Sequence, residues 1–208
     1  MKKLILTIIT SFALTGVSYA GSFGIGVSGS LAQVSADGTE TTDAGTVGGG
    51  AANKNSKSVD ELGMIGSIFL DYEFDNGIVL GYSHVPGTAE VSGKKHSRTE
   101  TAQGVSGTDA DGSVTRTADA EVENFNTLYL EYPIGSIYAK LGFSQIDVNT
   151  LENAVTDSGT YGNATLDGYT IGAGINSEMG GFFTKTSLEY TDFEDLALNS
   201  STANKIEA

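Results

Sequence analysis

The chain has 208 residues, a formal net charge of -15 and no cysteine. Without cysteine it has no disulfide scaffold, no thiolate zinc site and no cysteine nucleophile. The acidic balance argues against nucleic acid as a partner, because phosphate binding needs clustered Lys and Arg.

The first twenty residues have the pattern of a secretory signal peptide. Two lysines precede an apolar run over residues 4–14, and Ser18 and Ala20 occupy the small-residue positions before a cleavage site. The run is too short for a membrane-spanning helix, which needs about 20 apolar residues. The sequence therefore predicts a signal peptide over residues 1–20 and an exported domain over residues 21–208.

Seven segments follow in which apolar and polar residues alternate, as in strands whose two faces meet different surroundings. One face of each is mostly apolar, and the other carries Gly, Ser, Thr and a few charges. The segments lie at residues 23–33, 62–74, 78–86, 126–132, 137–145, 168–175 and 182–190.

The connections between these segments alternate between long and short. The short ones are the turns at residues 75–77, 133–136 and 176–181, and the long polar ones are predicted as loops at residues 34–60, 87–123, 146–163 and 194–205. Long extracellular loops and short periplasmic turns are typical of an outer-membrane barrel. The sequence thus predicts an all-β, antiparallel up-and-down transmembrane barrel.

The charged residues of the segments indicate which face points inward. A Lys on the lipid face costs roughly 2 to 4 kcal/mol at the bilayer midplane, so several would cost as much as a domain's stability of ~5 to 15 kcal/mol. A soluble lipocalin-like barrel would invert the faces, but its solvent face would seldom carry so much Gly and Ser. We therefore predict a lumen charge network of Asp71, Glu73, Glu131, Lys140, Lys185 and Glu189.

Two interpretations of this network remain open. Buried charges must be paired or hydrated, so the residues could form a structural plug. Alternatively, they could line a narrow ion path that favours cations, because acids outnumber bases. Pairing Tyr132 with Ile137 predicts that Glu131 lies diagonal to Lys140, and the next hairpin predicts Gly172 opposite Lys185.

Aromatic residues cluster near the ends of the segments, as expected of the two girdles of a membrane barrel. The predicted periplasmic girdle consists of Phe23, Tyr72, Phe74, Tyr132 and Phe182, and the predicted outer girdle consists of Phe143, Tyr169 and Tyr190.

No catalytic or metal-binding pattern emerges. His84 lies on the apolar face near a segment's outer end, and the adjacent Ser83 must point to the opposite face. His96 lies in a basic loop patch. The acids of residues 109–119 lack the spacing of a calcium loop, and residues 45–50 lack the lysine of a phosphate loop. We expect no enzyme activity, no metal and no cofactor.

The chain resembles the small outer-membrane β-barrel family of OmpA-like and opacity-type surface proteins, through its signal, the first strand "GSFGIGVSGSL" and the loop entry "LEYTDFEDL". The resemblance implies eight strands, a mostly occluded interior and a role in envelope structure, adhesion or recognition. It also implies the outer membrane of a Gram-negative bacterium as the location. The implied partners are membrane lipid, lipopolysaccharide, the barrel-assembly machinery and, through the loops, host cells or phage.

Three functions are consistent with these patterns: a non-enzymatic surface barrel, a narrow cation-preferring porin or channel, and, least favoured, an enzyme at the barrel rim. Seven segments leave the barrel one strand short, and open edges in lipid would leave backbone groups unsatisfied. We expect a missing strand of roughly 10 to 15 residues beyond Ala208. Otherwise the first and seventh segments pair directly, or residues 87–123 supply the eighth strand.

Overall fold

The structure is a computed structural model that describes residues 4–16, 23–42, 53–90, 96–102, 112–152, 161–179, 182–199 and 205–207. Nearly all of this part is strand, and it contains no helix. The strands are β1 Leu4–Gly16, β2 Phe23–Thr42, β3 Asn53–Glu73, β4 Val79–Glu90, β5 His96–Ala102, β6 Gly112–Ile134, β7 Ile137–Glu152, β8 Ala164–Met179, β9 Phe182–Phe193, β10 Ala197–Asn199 and β11 Lys205–Glu207.

Seven long strands form an antiparallel up-and-down sheet in the order β2, β3, β4, β6, β7, β8, β9. β5 extends the edge of β6 beyond β4, and β11 pairs with the far end of β2. β1 pairs antiparallel with both end strands, β2 and β9, so eight strands form a closed ring. The predicted all-β, up-and-down architecture is confirmed.

The stagger of the ring is that of a narrow barrel. Starting at Ile25 and passing from partner to partner through all eight strands returns to β2 at Ser35, ten residues further along. Strands in such barrels tilt by about 35–45° from the axis, and eight strands leave an interior that side chains fill.

The strand that closes the ring, β1, is not among the seven predicted segments. It comes from the apolar run predicted as a signal peptide, and it pairs with β2 from Leu4 opposite Ala36 to Thr15 opposite Gly26. The described parts of residues 87–123 contribute to β4, β5 and β6 and supply no eighth wall strand. The fold does not test cleavage after Ala20, which stays a prediction. Cleavage there would remove β1 from the ring.

Strands extend into all four segments that were predicted as loops. β2 and β3 stay paired over their whole lengths, which takes in most of residues 34–60. β6 begins inside 87–123, β7 continues into 146–163, and β10 lies within 194–205. The prediction ended each strand where outward apolar residues ended, but ladder hydrogen bonds join backbone groups and do not need apolar side chains.

Two of the three hairpin turns are tighter than predicted, and this shifts their registers. The β3–β4 hairpin keeps its predicted turn at residues 75–77, with Gly77 at φ 79°. β6 and β7 turn on Gly135, with φ 66°, so Ile134 faces Ile137 and Glu131 lies directly opposite Lys140. A glycine at the first central position suits a two-residue hairpin. In the β8–β9 hairpin Gly172 lies opposite Glu189, not Lys185. Both shifts are even, so no side chain changes face.

Several long strands, among them β2, β6, β7, β8 and β9, change polarity part-way along their length. On β7, Leu141 and Phe143 are exposed while Lys140 and Ser144 are buried; further on, Ile146 is buried. The barrel therefore has a lower zone beside the short turns, apolar outside and polar inside, and an upper zone with the opposite arrangement. The exposed apolar belt of the lower zone includes Phe23, Ile25, Val27, Leu31, Ile68, Leu70, Leu80, Leu128, Leu130, Tyr132, Leu141, Phe143, Ile171 and Leu188.

Candidate functional site

The centre of the lower zone holds a cation between two carboxylates. Lys185 Nζ on β9 donates to Asp71 Oδ2 on β3 at 2.6 Å and to Glu131 Oε2 on β6 at 2.7 Å. All three residues are buried, with exposed fractions of 6%, 3% and 3% respectively. Such a group is stable only while each charge keeps its partner, because uncompensated charge inside a protein costs several kcal/mol.

A second ion pair lies beside the first. Lys140 Nζ on β7 donates to both carboxylate oxygens of Glu189 on β9, at 2.9 and 3.0 Å. The ammonium also lies 3.9 Å from the ring centroid of Tyr129, within range of a cation–π interaction. Ser187 donates a further hydrogen bond to Glu189 at 2.9 Å, so this carboxylate accepts from two side chains.

Tyrosines and glycines complete the packing around these charges. Tyr129 donates from Oη to Asp71 Oδ1 at 2.5 Å, which ties the two ion-pair groups together. A Cβ at Gly81 would collide with Tyr129 and Asp71, so glycine is needed for this close approach. At Gly172 a Cβ would lie 3.0 Å from Glu189 Cγ. The large side chains thus fit the narrow interior because small residues face them.

The structure brings together five of the six predicted network residues: Asp71, Glu131, Lys140, Lys185 and Glu189. The sixth, Glu73, is half-buried near the turn, opposite Val79. Tyr129 and Tyr138 belong to the site but were not predicted as members. Their alternation with Glu131 and Lys140 places them on the inner face and could have revealed them.

A chain of hydroxyl groups lies above the ion pairs, at the top of the lower zone. Thr127 and Ser144 are hydrogen-bonded at 2.9 Å, Ser144 and Thr170 at 2.6 Å, and Thr170 and Thr191 at 2.7 Å. All four side chains are buried and come from four successive wall strands. This row of hydroxyl groups was not predicted from the sequence, because only the strand register places the four residues at the same height in the barrel.

The predicted girdle aromatics lie at two ends of the apolar belt. Near the short turns, Tyr72 contacts both Phe23 and Phe74, with ring centroids 4.9 Å apart in each pair. At the other end Phe143 and Tyr169 have centroids 6.0 Å apart. Tyr132 and Tyr190 are exposed. Phe182 begins β9, and its side chain lies outside the described part of the chain.

The outer face near the boundary between the zones carries a polar cluster. Asn126 Oδ1 accepts from Tyr82 Oη at 2.6 Å and lies 2.8 Å from His84 Nδ1. Ser83 lines a cavity inside the barrel, so Ser83 and His84 point to opposite faces. The side chain of His96, on β5, is outside the described residues.

The described residues contain no group of three or more His, Asp or Glu that could hold a metal ion. No helix among them is long and apolar enough to cross a membrane. Of the acidic residues 109–119, only Asp119 has a described side chain.

Asp147, on the outer face of the upper zone, links stability to pH. Hydrogen bonds from Thr165 Oγ1 at 2.7 Å and Asn124 Nδ2 at 3.0 Å hold the pKa of its carboxyl below the usual value. A lowered pKa stabilises the fold above the unfolded-state value of about 3.9, and this stability is lost as pH falls through the folded-state value.

We therefore expect the urea midpoint of the parent to drop between about pH 6 and about pH 3 by more than that of Asp147→Asn, which cannot titrate. Equal drops in the two proteins would show that Asp147 contributes nothing to acid sensitivity.

No protein-family model matches the chain, and no curated protein matches it.

Proposed function

We propose that the protein is a non-enzymatic outer-membrane β-barrel that holds a folded surface outside the bilayer for adhesion or recognition. The lower zone would cross the membrane, and the upper zone would project from it. The observation that carries this proposal is the reversal of polarity along the strands. A water-soluble barrel would need a polar exterior over its whole height, whereas the lower zone has an apolar one.

The dimensions of the apolar belt support the membrane part of the proposal. On β2 the outward apolar residues run from Phe23 to Leu31, with glycine at position 29. Nine strand residues span about 30 Å at roughly 3.3 Å each, and a tilt of about 40° reduces the height to roughly 23 Å. The apolar band of such barrels is about 25 Å tall.

The upper zone supports the surface part of the proposal. Its interior is an apolar cluster that contains Phe125, Ile146, Leu166 and Phe193. Hydrogen-bonded polar groups lie on the outside, such as Gln145 Nε2, which donates to Asp167 Oδ1 at 2.9 Å. An ordered wall with its own core presents a defined surface, as recognition requires. The resemblance to OmpA-like and opacity-type proteins supports the same function, with lipopolysaccharide, host cells or phage as candidate partners.

A narrow cation-preferring channel is the second candidate. The ion pairs hold three carboxylates, Asp71, Glu131 and Glu189, against two ammonium groups. This excess of one negative charge favours cations in the lower zone.

Cysteine labelling tests the proposed orientation, because the parent has no cysteine to interfere. In intact cells, a membrane-impermeant maleimide should label Gln145→Cys in the upper zone. Ser136→Cys in a short turn should react only after the outer membrane is permeabilised, and Leu141→Cys in the belt should stay unlabelled. Labelling of Ser136→Cys in intact cells would invert the orientation, and labelling of Leu141→Cys would contradict the membrane assignment.

Adhesion of whole cells tests the role itself. Cells that display the protein should attach to host cells or abiotic surfaces more than cells without it, and charge reversals at exposed Asp60 and Glu61 should reduce attachment. Leu130→Ile, within the belt, is the matched control and should leave attachment unchanged. Equal attachment with and without the protein would contradict an adhesive role.

A further inference from the structure

The interior of the upper zone is closed by an apolar layer that we name the apolar seal, formed by Phe125, Ile146, Leu166 and Phe193. Each residue is at most 8% exposed. Phe125 on β6 and Phe193 on β9 have ring centroids 6.0 Å apart at an angle of 67°. Because β7 and β8 separate their strands in the wall, these two rings meet across the interior and not along the wall.

Side chains on β2, β3, β4, β6 and β7 extend the seal around the wall, while the side chains of β1 lie outside the described part of the chain. Ala32 on β2 and Val122 and Val148 on β6 and β7 belong to the same buried cluster, and Ile65 on β3 and Val85 on β4 pack against it. The described residues of this cluster present no charged side chain to the space between the rings. An ion at this level would lose its water and gain no polar partner from the described side chains of the cluster.

The interior below the seal carries polar and charged side chains. A cavity of about 60 Å³ lies between the seal and the ion pairs. Apolar side chains, among them Phe69 and Phe125, form part of its wall, and polar ones, among them Ser28, Thr127 and Glu189, form the rest. A water needs roughly 10–15 Å³ and polar partners, so this space has room for several waters beside its polar wall. Water there can solvate an ion, and the carboxylates can replace part of its hydration shell.

We propose that the apolar seal, and not the ion-pair network, is the barrier that keeps the lumen closed to ions, and that a breach of the seal opens a path that favours cations. Hydrophobic constrictions block ions by excluding water. The ion pairs instead offer charged groups that can exchange partners with a passing ion. The single excess carboxylate gives the opened path its preference for cations. This inference rests on the proposed membrane barrel.

Planar-bilayer recording tests the seal. The parent should pass almost no current, whereas Phe193→Ser, which places a hydroxyl in the seal, should raise the current at fixed voltage at least about tenfold, equal to about 1.4 kcal/mol off the barrier. In a KCl gradient the reversal potential of this variant should have the sign of cation preference. Leu188→Ser, the same kind of change on the outer face of β9, should remain closed.

Further variants keep the inference falsifiable if Phe193→Ser does not fold. Phe125→Ser breaches the seal from the opposite wall and should also conduct. Lys140→Met combined with Glu189→Met removes one ion pair, leaves the seal intact and should stay closed. The inference is overturned by a conducting parent, by a conducting ion-pair variant, or by folded seal variants that stay closed.

Heat-modifiable gel mobility in lipid vesicles separates the two proposals. A parent that does not insert would contradict the membrane barrel itself, whereas inserted seal variants that pass no current would contradict the seal alone.

Discussion

Replacement of Lys185 by methionine is expected to lower the free energy of unfolding by about 3–5 kcal/mol, the cost of leaving buried charge without its partner. Lys185 is the ammonium that contacts both Asp71 and Glu131, and both carboxylates are 3% exposed. Without it, two negative charges would face each other inside the barrel. Methionine matches the length of the lysine stem, so the loss of charge dominates the effect.

Urea titration of the protein refolded into lipid measures this loss. Leu130→Ile in the belt is the control and should change the midpoint little. The triple variant Lys185→Met, Asp71→Asn, Glu131→Gln should recover much of the stability, since all three charges are then absent. Lys140→Leu should cost less than Lys185→Met, because it strands only Glu189, whose side chain is 11% exposed. An unchanged midpoint for Lys185→Met would mean that the buried ion pairs do not stabilise the fold.

Substitution of Gly81 by alanine is expected to destabilise the barrel by about 1–3 kcal/mol, the usual cost of an extra group in a packed interior. The new Cβ would meet the ring of Tyr129 and the carboxylate of Asp71. Neither can move far, because Tyr129 donates to Asp71 and Asp71 accepts from Lys185. The valine variant should be worse than the alanine variant.

Gly29 on β2 offers a matched control for Gly81. A Cβ at Gly29 would meet no atom within 4 Å. Because glycine loses more backbone entropy on folding than alanine, Gly29→Ala should be neutral or stabilising by up to about 1 kcal/mol. Urea midpoints of the two variants should therefore move differently. If Gly81→Ala matches Gly29→Ala, the interior is looser than the structure indicates.

The sequence by itself determines which residues face inward in the lower zone. Strand side chains alternate with a period of two, and the charges of Glu131, Lys140 and Glu189 all fall on the alternation opposite Leu and Ile. The two registers that were predicted wrongly are shifted by even numbers of residues, so the faces were still assigned correctly. The same alternation places Tyr129 and Tyr138 on the inner face, although they were not predicted as members of the site.

Only the tertiary structure decided which residues meet. Alternation is the same in every register that differs by an even number of residues. The turn geometry at Gly135 therefore decides that Lys140 lies opposite Glu131 in the neighbouring strand. Lys185 and Asp71 are 114 residues apart in the chain. They meet because the closed ring sets their heights and brings β9 and β3, three strands apart along the ring, within reach across a narrow interior. The apolar seal depends on the same stagger. The seal residues lie beyond the point where the outward apolar alternation ends, so the sequence around each one looks like that of a loop.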